Sequence, residues 1–457
     1  MTTELASNQL ASINPATGDA VGAVDCTPVD AIDDMVERAS AAGVAWAATS
    51  VEDRIAALRP LGEALKAHRS ELASLITAEM GKPVAEAEGE MDWVIGACDS
   101  KFDDMVAGLT PDQLDDGATC SSIYFDPYGV AAVITPWNFP VGMPNATVIP
   151  AIVAGNPVLF KPSEETPLVG QRFAEIVQSV LPDNVLQVVQ GDERQGKALV
   201  AADVNLVVFT GSREAGKHIL SACGSGLKRV ILELGGKDPM IVLADADLDK
   251  AADFAVSNSF RNCGQVCVST ERIYVVDDVA DAFEAKVVER VLNLEVGDGA
   301  DAGTTLGPMV NARQKQHVLG QIETAKGAGA TVQCGDAPMD GNYVAPTVLT
   351  SLSNDMEIMR EETFGPVACI MRVADAQAAL DAANDTPFGL GACVYGDSEA
   401  QSIARRMTAG MIGINRGCGG ASGAPFVGAQ QSGYGFHGGA LGIRQFTQAR
   451  VVSRPRD

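Results

Sequence analysis

The chain has 457 residues, 46% apolar and 20% charged, a balance that supports a buried core; at roughly 100–200 residues per domain, two or three units are expected. Thirty-three basic against 59 acidic side chains leave a net charge of -26, which would repel a nucleic-acid backbone or an anionic bilayer. The longest apolar runs, such as Val204 to Phe209 interrupted by Asn205, fall far short of the roughly 18 residues of a membrane span.

The start, Met1-Thr2-Thr3-Glu4, has no basic segment and no apolar stretch behind it, so no secretory leader is expected. Ten cysteines, at 26, 98, 120, 223, 263, 267, 334, 369, 393 and 418, include no short CxxC pair. That spacing suits reduced thiols in a cytoplasm rather than a disulfide framework or a zinc ribbon. Four histidines stand apart without an HExxH, so no metal site is expected.

Early segments read as helices. Thr27 is placed to cap a helix that begins at Pro28, with Ile32, Met35, Val36 and Ala39 at helical spacing. Ser50 with Asp53 resembles a second capping box. From about Gly129 short β-branched runs appear: Val130 to Ile134, Val158 to Phe160, Val185 to Val189, Val204 to Phe209 and Val230 to Leu232. Segments of helical length separate them, Val141 to Ala154, Pro167 to Val180, Glu193 to Ala201 and Arg213 to Ala222. This alternation predicts a parallel α/β sheet. A second α/β unit follows Gly235-Gly236, with Met240 to Leu243, a helix from about Leu248 to Arg261, and Arg272 to Val276. The glycine-rich stretch from Gly417 to Gly439 predicts a long loop.

The one GxGxxG match, Gly433 to Gly438, lies too near the end for a dinucleotide-binding βαβ unit and reads as coincidence. Phe209-Thr210-Gly211-Ser212 ends a strand and opens a helix that Ser212 would cap. Its amides would suit a pyrophosphate or simply form an ordinary turn. Thr135-Pro136-Trp137-Asn138-Phe139-Pro140, Glu233-Leu234-Gly235-Gly236-Lys237 and Asn262 to Cys267 place an amide, a carboxylate and a thiol at the ends of regular elements. Open α/β sheets carry their sites there. Taken singly, Asn138 could be a turn residue, Glu233 a solvated strand end and Cys267 a small packed hydrophobe.

In these motifs, together with Asn14 to Gly18, Lys161-Pro162-Ser163-Glu164, Glu361 to Pro366 and Gln445-Phe446, the chain resembles the aldehyde dehydrogenase superfamily over nearly its whole length. The resemblance implies an α/β fold with two parallel-sheet domains and a small β oligomerisation element. The cofactor-binding domain would span 1–108 and 128–234, the catalytic domain 235–430 and the oligomerisation element 109–127 with 431–457. A homodimer or homotetramer is implied. So is a catalytic cysteine, Cys267, that attacks the aldehyde and carries a thioester. Asn138 and the Cys267 amide would hold the oxyanion, and Glu233 would activate the hydrolytic water. Glu233 favours water over coenzyme A as acyl acceptor. A coenzyme A-acylating enzyme and a non-catalytic binding protein are the competing readings.

The resemblance assigns cofactor contacts to Thr135, Pro136, Trp137, Lys161, Ser163, Glu164, Phe209, Thr210, Gly211, Ser212, Leu234, Glu362 and Phe364. A Glu164 carboxylate beside the adenosine ribose would oppose a 2′-phosphate by up to about 4 kcal/mol at an effective dielectric of 20, so NAD is expected over NADP. Phe260-Arg261-Asn262 resembles succinate-semialdehyde dehydrogenases, whose arginine there contacts the substrate carboxylate. Their second arginine is replaced by Ala146, so Arg261 and Ser422 are the substrate candidates, with Arg416 as a possible addition. His437 stands where the family commonly has a glutamate proton relay, and is expected at the surface. Cys263 is expected to pack rather than to pair with Cys267.

Overall fold

The computed structural model describes residues 8–456; the N-terminal segment read for a leader falls mostly outside them. A six-stranded sheet is ordered Gly433–Tyr434, Arg229–Glu233, Leu206–Thr210, Ala131–Ile134, Val158–Lys161 and Leu186–Val188. Its pairings are parallel except for the short Gly433–Tyr434 strand. Alternate residues of each strand face opposite sides. Ala131, Val133, Phe160 and Val208 enter one core cluster, whereas Ala132, Leu159, Val207 and Phe209 enter another. Buried on both faces, these strands must be nearly continuous apolar runs, which is why they are visible in sequence.

The chain enters this sheet at Ala131–Ile134, adds strands on one side, and returns to add Leu206–Thr210 on the other. Strand order therefore reverses between those two strands. Their C-terminal ends, Thr135 onward and Thr210 to Ser212, open the crevice where such sheets bind ligands.

From Arg229–Glu233 the chain passes through Leu234-Gly235-Gly236-Lys237 directly into Asp238–Val242, a central strand of a seven-stranded sheet. That sheet is ordered Thr331–Cys334, Thr347–Thr350, Val367–Val373, Thr270–Val276, Asp238–Val242, Gly391–Tyr395 and Met411–Ile414. Only Thr331–Cys334 runs antiparallel. Glu233 thus ends one sheet while the next four residues bridge to the other. A third, antiparallel sheet joins Thr447–Pro455, Thr119–Pro127 and Asp112–Asp115. Among the described residues, no helix is long and apolar enough to cross a membrane.

Two local expectations are corrected. Thr27 caps no helix: its hydroxyl accepts from the Gln190 amide at 3.0 Å, and a 3₁₀ turn Val29–Ala31 precedes the helix Ile32–Ala48. A tertiary acceptor role has displaced the local cap. Ser50 does cap Val51–Leu58, accepting from Asp53 N. The stretch 417–439 is not loop throughout. It contributes Gly433–Tyr434 to the large sheet, with Gly433 opposite Glu233, and pairs Phe426–Val427 with Phe436–His437. Strands of two residues leave too little pattern to read.

Candidate active site

A cleft of about 480 Å³ lies between the sheets, and its walls include Asn138, Thr210, Glu233, Cys267, Glu362 and Phe364. Pro136, Trp137, Gly211, Ser212 and Leu234 complete the expected set on this wall. A neighbouring cavity of about 590 Å³ is bounded by Ile134, Lys161, Glu164, Phe209, His218 and Ile219. Helix Arg213–Gly224 begins between the two, its Ser212 cap accepting from Ala215 N at 3.3 Å. Ser212 faces the cleft and Ala215 the second cavity, so the positive end of the helix dipole sits at their junction. Thr135 and Ser163 are buried behind these walls; Ser163 Oγ accepts from Glu165 N.

Cys267 is delivered by an unusual backbone. After helix Leu248–Phe260, Asn262, Cys263 and Gly264 all adopt left-handed φ, at 52°, 56° and 71°. At Gly264 no side chain fits, because a Cβ would meet Gly365 O at 2.0 Å. Gln265 fixes the turn: its Nε2 donates to Asn262 O at 3.0 Å and its Oε1 accepts from Val310 N at 2.9 Å. Asn138 is tied to the same turn, donating from Nδ2 to Gln265 O at 3.0 Å. Its second Nδ2 hydrogen remains for a ligand.

Electrostatics concentrate here. Burial, followed by the carboxylates of Asp238, Glu362 and Glu233, pushes the Cys267 thiol well above its ordinary value. Glu233 is 2% exposed, and neither of its oxygens has a hydrogen-bond partner among the described residues. Desolvation raises its carboxyl well above the usual range. Glu362 is pushed up to about 8, by burial first and then by Glu271, although it accepts from Gly236 N at 3.1 Å. The Thr210 hydroxyl is also buried without a partner among the described residues. Orphaned polar atoms, a helix N-terminus and an adjoining apolar-walled cavity together fit a dinucleotide with a polar reaction centre at one end.

Three supporting residues escaped the sequence reading, and a fourth was read only as part of the Asn262 to Cys267 motif. Lys82 and Glu90 form a buried pair at 2.7 Å. Lys82 donates to the Asn138 carbonyl at 2.8 Å, while Glu90 accepts from Val141 N and Gly142 N. Glu271 pairs with Lys237 at 2.6 Å and accepts from Thr363 N and Phe364 N, both at 2.8 Å, so it holds the Glu362–Phe364 segment. Gln265 is the fourth. No periodicity marks such residues, since their partners lie far away in sequence; a buried charge within an apolar run is the available signal.

Of the substrate candidates, neither Arg261 nor Ser422 is brought into the cleft wall. Arg261 is exposed, with its guanidinium 5.7 Å from the Phe139 ring; Ser422 and Arg416 are also exposed. Cys263 packs, its Sγ 3.5 Å from Met309 Sδ. His437 is not at the surface: it is 7% exposed, stacked on Phe426 at 5.3 Å, and lowered to about 4 by burial and then by Lys101. Its pairing with Phe426 buries it.

A thiol, an amide donor and an unpartnered carboxyl beside a dinucleotide-shaped crevice define a cysteine-dependent oxidoreductase of carbonyl compounds. The model of the aldehyde dehydrogenase family matches residues 2–452, and the chain belongs to that family. It is 36% identical over 451 residues to a glutarate-semialdehyde dehydrogenase of Pseudomonas putida, covering 96% of this chain and 93% of the relative. With the Escherichia coli succinate-semialdehyde dehydrogenase [NADP(+)] it shares 36% over 453 residues, covering 96% and 93%. A crystal structure of an E. coli NADP-dependent enzyme superposes with a TM-score of 0.94 at 34% identity, covering 98% of this chain and 95% of the other. The protein is thus an oxidoreductase acting on aldehydes.

The expectation of NAD over NADP is corrected. The E. coli relative is named for NADP, as is the E. coli structure. The expectation assumed an uncompensated Glu164 carboxylate. That side chain is instead 44% exposed and lies 3.7 Å from Lys161 Nζ, so solvent screens its charge and the ammonium offsets it. Lys197 and His218 bound the same cavity.

Proposed function

We propose that this enzyme oxidises a carboxylated semialdehyde, of the succinate or glutarate type, to the free dicarboxylic acid with NADP. The observation that carries the reading is the unpartnered Glu233 carboxyl sharing one cleft with the Cys267 thiol and a spare Asn138 N–H. The substrate type is supported by the names of the two relatives above, and the cofactor by the name of the E. coli one.

A thiol raised this far is protonated at neutral pH, so attack requires a proton acceptor. Solvent in the cleft takes the Cys267 proton as Sγ bonds to the aldehyde carbon. The carbonyl electron pair moves onto oxygen, where Asn138 Nδ2 and the Cys267 amide donate to it. When bound, the nicotinamide supplies the hydride acceptor, and Glu362, Phe364, Trp137 and the Thr210–Ser212 turn would hold it. A thioester on Cys267 results. Glu233, in its ionised form, then takes a proton from water. The water oxygen bonds to the acyl carbon, the C–S bond breaks, Sγ regains a proton and the acid leaves.

We assign the six-stranded sheet to cofactor binding and the seven-stranded sheet to the catalytic domain. The three-stranded sheet, with Leu114, Tyr124, Val451 and Val452 exposed, is the surface through which a dimer or tetramer would form. A catalytic thiol that must stay reduced suits a cytoplasmic enzyme. The test is kcat/KM with succinate semialdehyde for each cofactor. The reading expects NADP to exceed NAD by tenfold or more, and the reverse order contradicts it.

A further inference from the structure

The wall of the cleft supplied by the second α/β unit carries an arginine without a partner. Arg313 stands in the first turn of helix Ala312–Gly327, whose Val318, Ile322 and Ala325 belong to the core around the seven-stranded sheet. It is exposed and borders the same cleft of about 480 Å³ as Ser212 and Cys267. Among the described residues it makes no hydrogen bond and no ion pair. Its charge bears on Glu165, yet that carboxylate accepts from Asn311 Nδ2 at 2.7 Å.

The position is unfavourable for a cation. A helix begins at the positive end of its dipole, where acids are stabilising, and this first turn holds none. The start of the helix is also fixed in place. Asn311 caps it, accepting from Gln314 N at 2.9 Å, and Gln314 Nε2 donates to the carbonyls of Thr363 and Phe364, both at 3.2 Å. Arg313 is thus presented to the cleft from backbone tied to the segment beside the reaction centre. A guanidinium held against a dipole of like sign is stabilised when an anion binds it.

The first α/β unit offers a seat for that anion. Helix Arg213–Gly224 begins where the cleft meets the neighbouring cavity, and Thr210, 8% exposed, lines the cleft with a hydroxyl that has no partner among the described residues. A dinucleotide with its nicotinamide at Cys267 and its adenosine in the neighbouring cavity has its pyrophosphate at this junction. His317, the other basic side chain bordering the cleft, has its Nε2 3.1 Å from Glu362 O. Arg313 is left as the cation that can meet the phosphates.

We propose that Arg313 binds the pyrophosphate of the cofactor, holding from the catalytic domain the same phosphates that the Thr210–Ser212 turn receives from the cofactor-binding sheet. The inference rests on the dinucleotide reading of the crevice and not on the choice between NADP and NAD, because both carry the same pyrophosphate.

The test titrates the full-length wild type, R313Q and R313K with NADPH and NADH by fluorescence, and with ADP and 2′-AMP by displacement of NADPH. Thermal melting without cofactor should be the same in all three, since the side chain has no partner to lose; a lower melting temperature in R313Q would overturn that premise. R313Q should weaken NADPH, NADH and ADP by a common factor of about tenfold or more, and leave 2′-AMP within about twofold of wild type. R313K, which keeps the charge but not the forked donor, should fall between. NADPH affinity should also depend less steeply on added salt in R313Q. A loss confined to NADPH and 2′-AMP would place Arg313 at the ribose phosphate, and a raised KM for succinate semialdehyde alone would place it at the substrate. Either result overturns the proposal, as does a cofactor affinity that R313Q leaves within about twofold of wild type. A wild type that binds neither NADPH nor NADH refutes the dinucleotide reading itself, and this contact with it.

Discussion

Replacing Glu233 with glutamine separates the two halves of the reaction. Glutamine is close to isosteric, and Glu233 has no hydrogen bond to lose, so the structural cost is confined to burying an amide without acceptors, about 1–3 kcal/mol of stability. Removing the base should cost about 10²–10⁴-fold in hydrolysis, or roughly 3–5 kcal/mol at 1.36 kcal/mol per decade. Rapid-mixing absorbance at the reduced nicotinamide band should then show a single turnover of NADPH followed by a steady state slower by that factor. Because burial raises the Glu233 carboxyl, wild-type kcat should climb with pH as it ionises, and E233Q should lose that limb. Steady-state hydrolysis within about threefold of wild type would refute the assignment of Glu233.

Further outcomes follow from the same geometry. Asn138→Ala removes a fixed donor, and kcat should fall about 10²–10³-fold while cofactor binding by fluorescence titration stays unchanged. Lys237→Met strands Glu271, a buried carboxylate whose partner lies at 2.6 Å; denaturant unfolding should show a loss of about 3–5 kcal/mol, with a raised KM for NADP as the Glu362–Phe364 segment loosens. Glu79 is raised to about 7, chiefly by burial. A carboxyl raised on folding stabilises fully below its unfolded value and loses that contribution as pH rises through the folded one. The Tm advantage of wild type over E79Q should therefore shrink between pH 5 and 8; a constant or growing advantage would contradict it.

The strands around the crevice were legible because burial on both faces forces short β-branched runs, and the flanking helices followed from their spacing. The thiol, amide and carboxyl were found because each stands in a motif at the end of a regular element. Hidden from sequence were interactions between distant segments. Thr27 serves Gln190 instead of its own helix, Gly433 completes a sheet 200 residues upstream, and Lys82–Glu90 braces Asn138 through a pair that no local pattern announces. The cofactor expectation failed for a related reason: it weighed the Glu164 carboxylate alone, whereas the Lys161 ammonium lies 3.7 Å from it.

The central claim is that one sulfur atom carries the acyl group. E233Q incubated with NADP and succinate semialdehyde, quenched in acid and digested, should yield a peptide bearing the acyl mass on Cys267. An adduct on Cys263 or Cys418, or no adduct despite a full burst of NADPH, would contradict it.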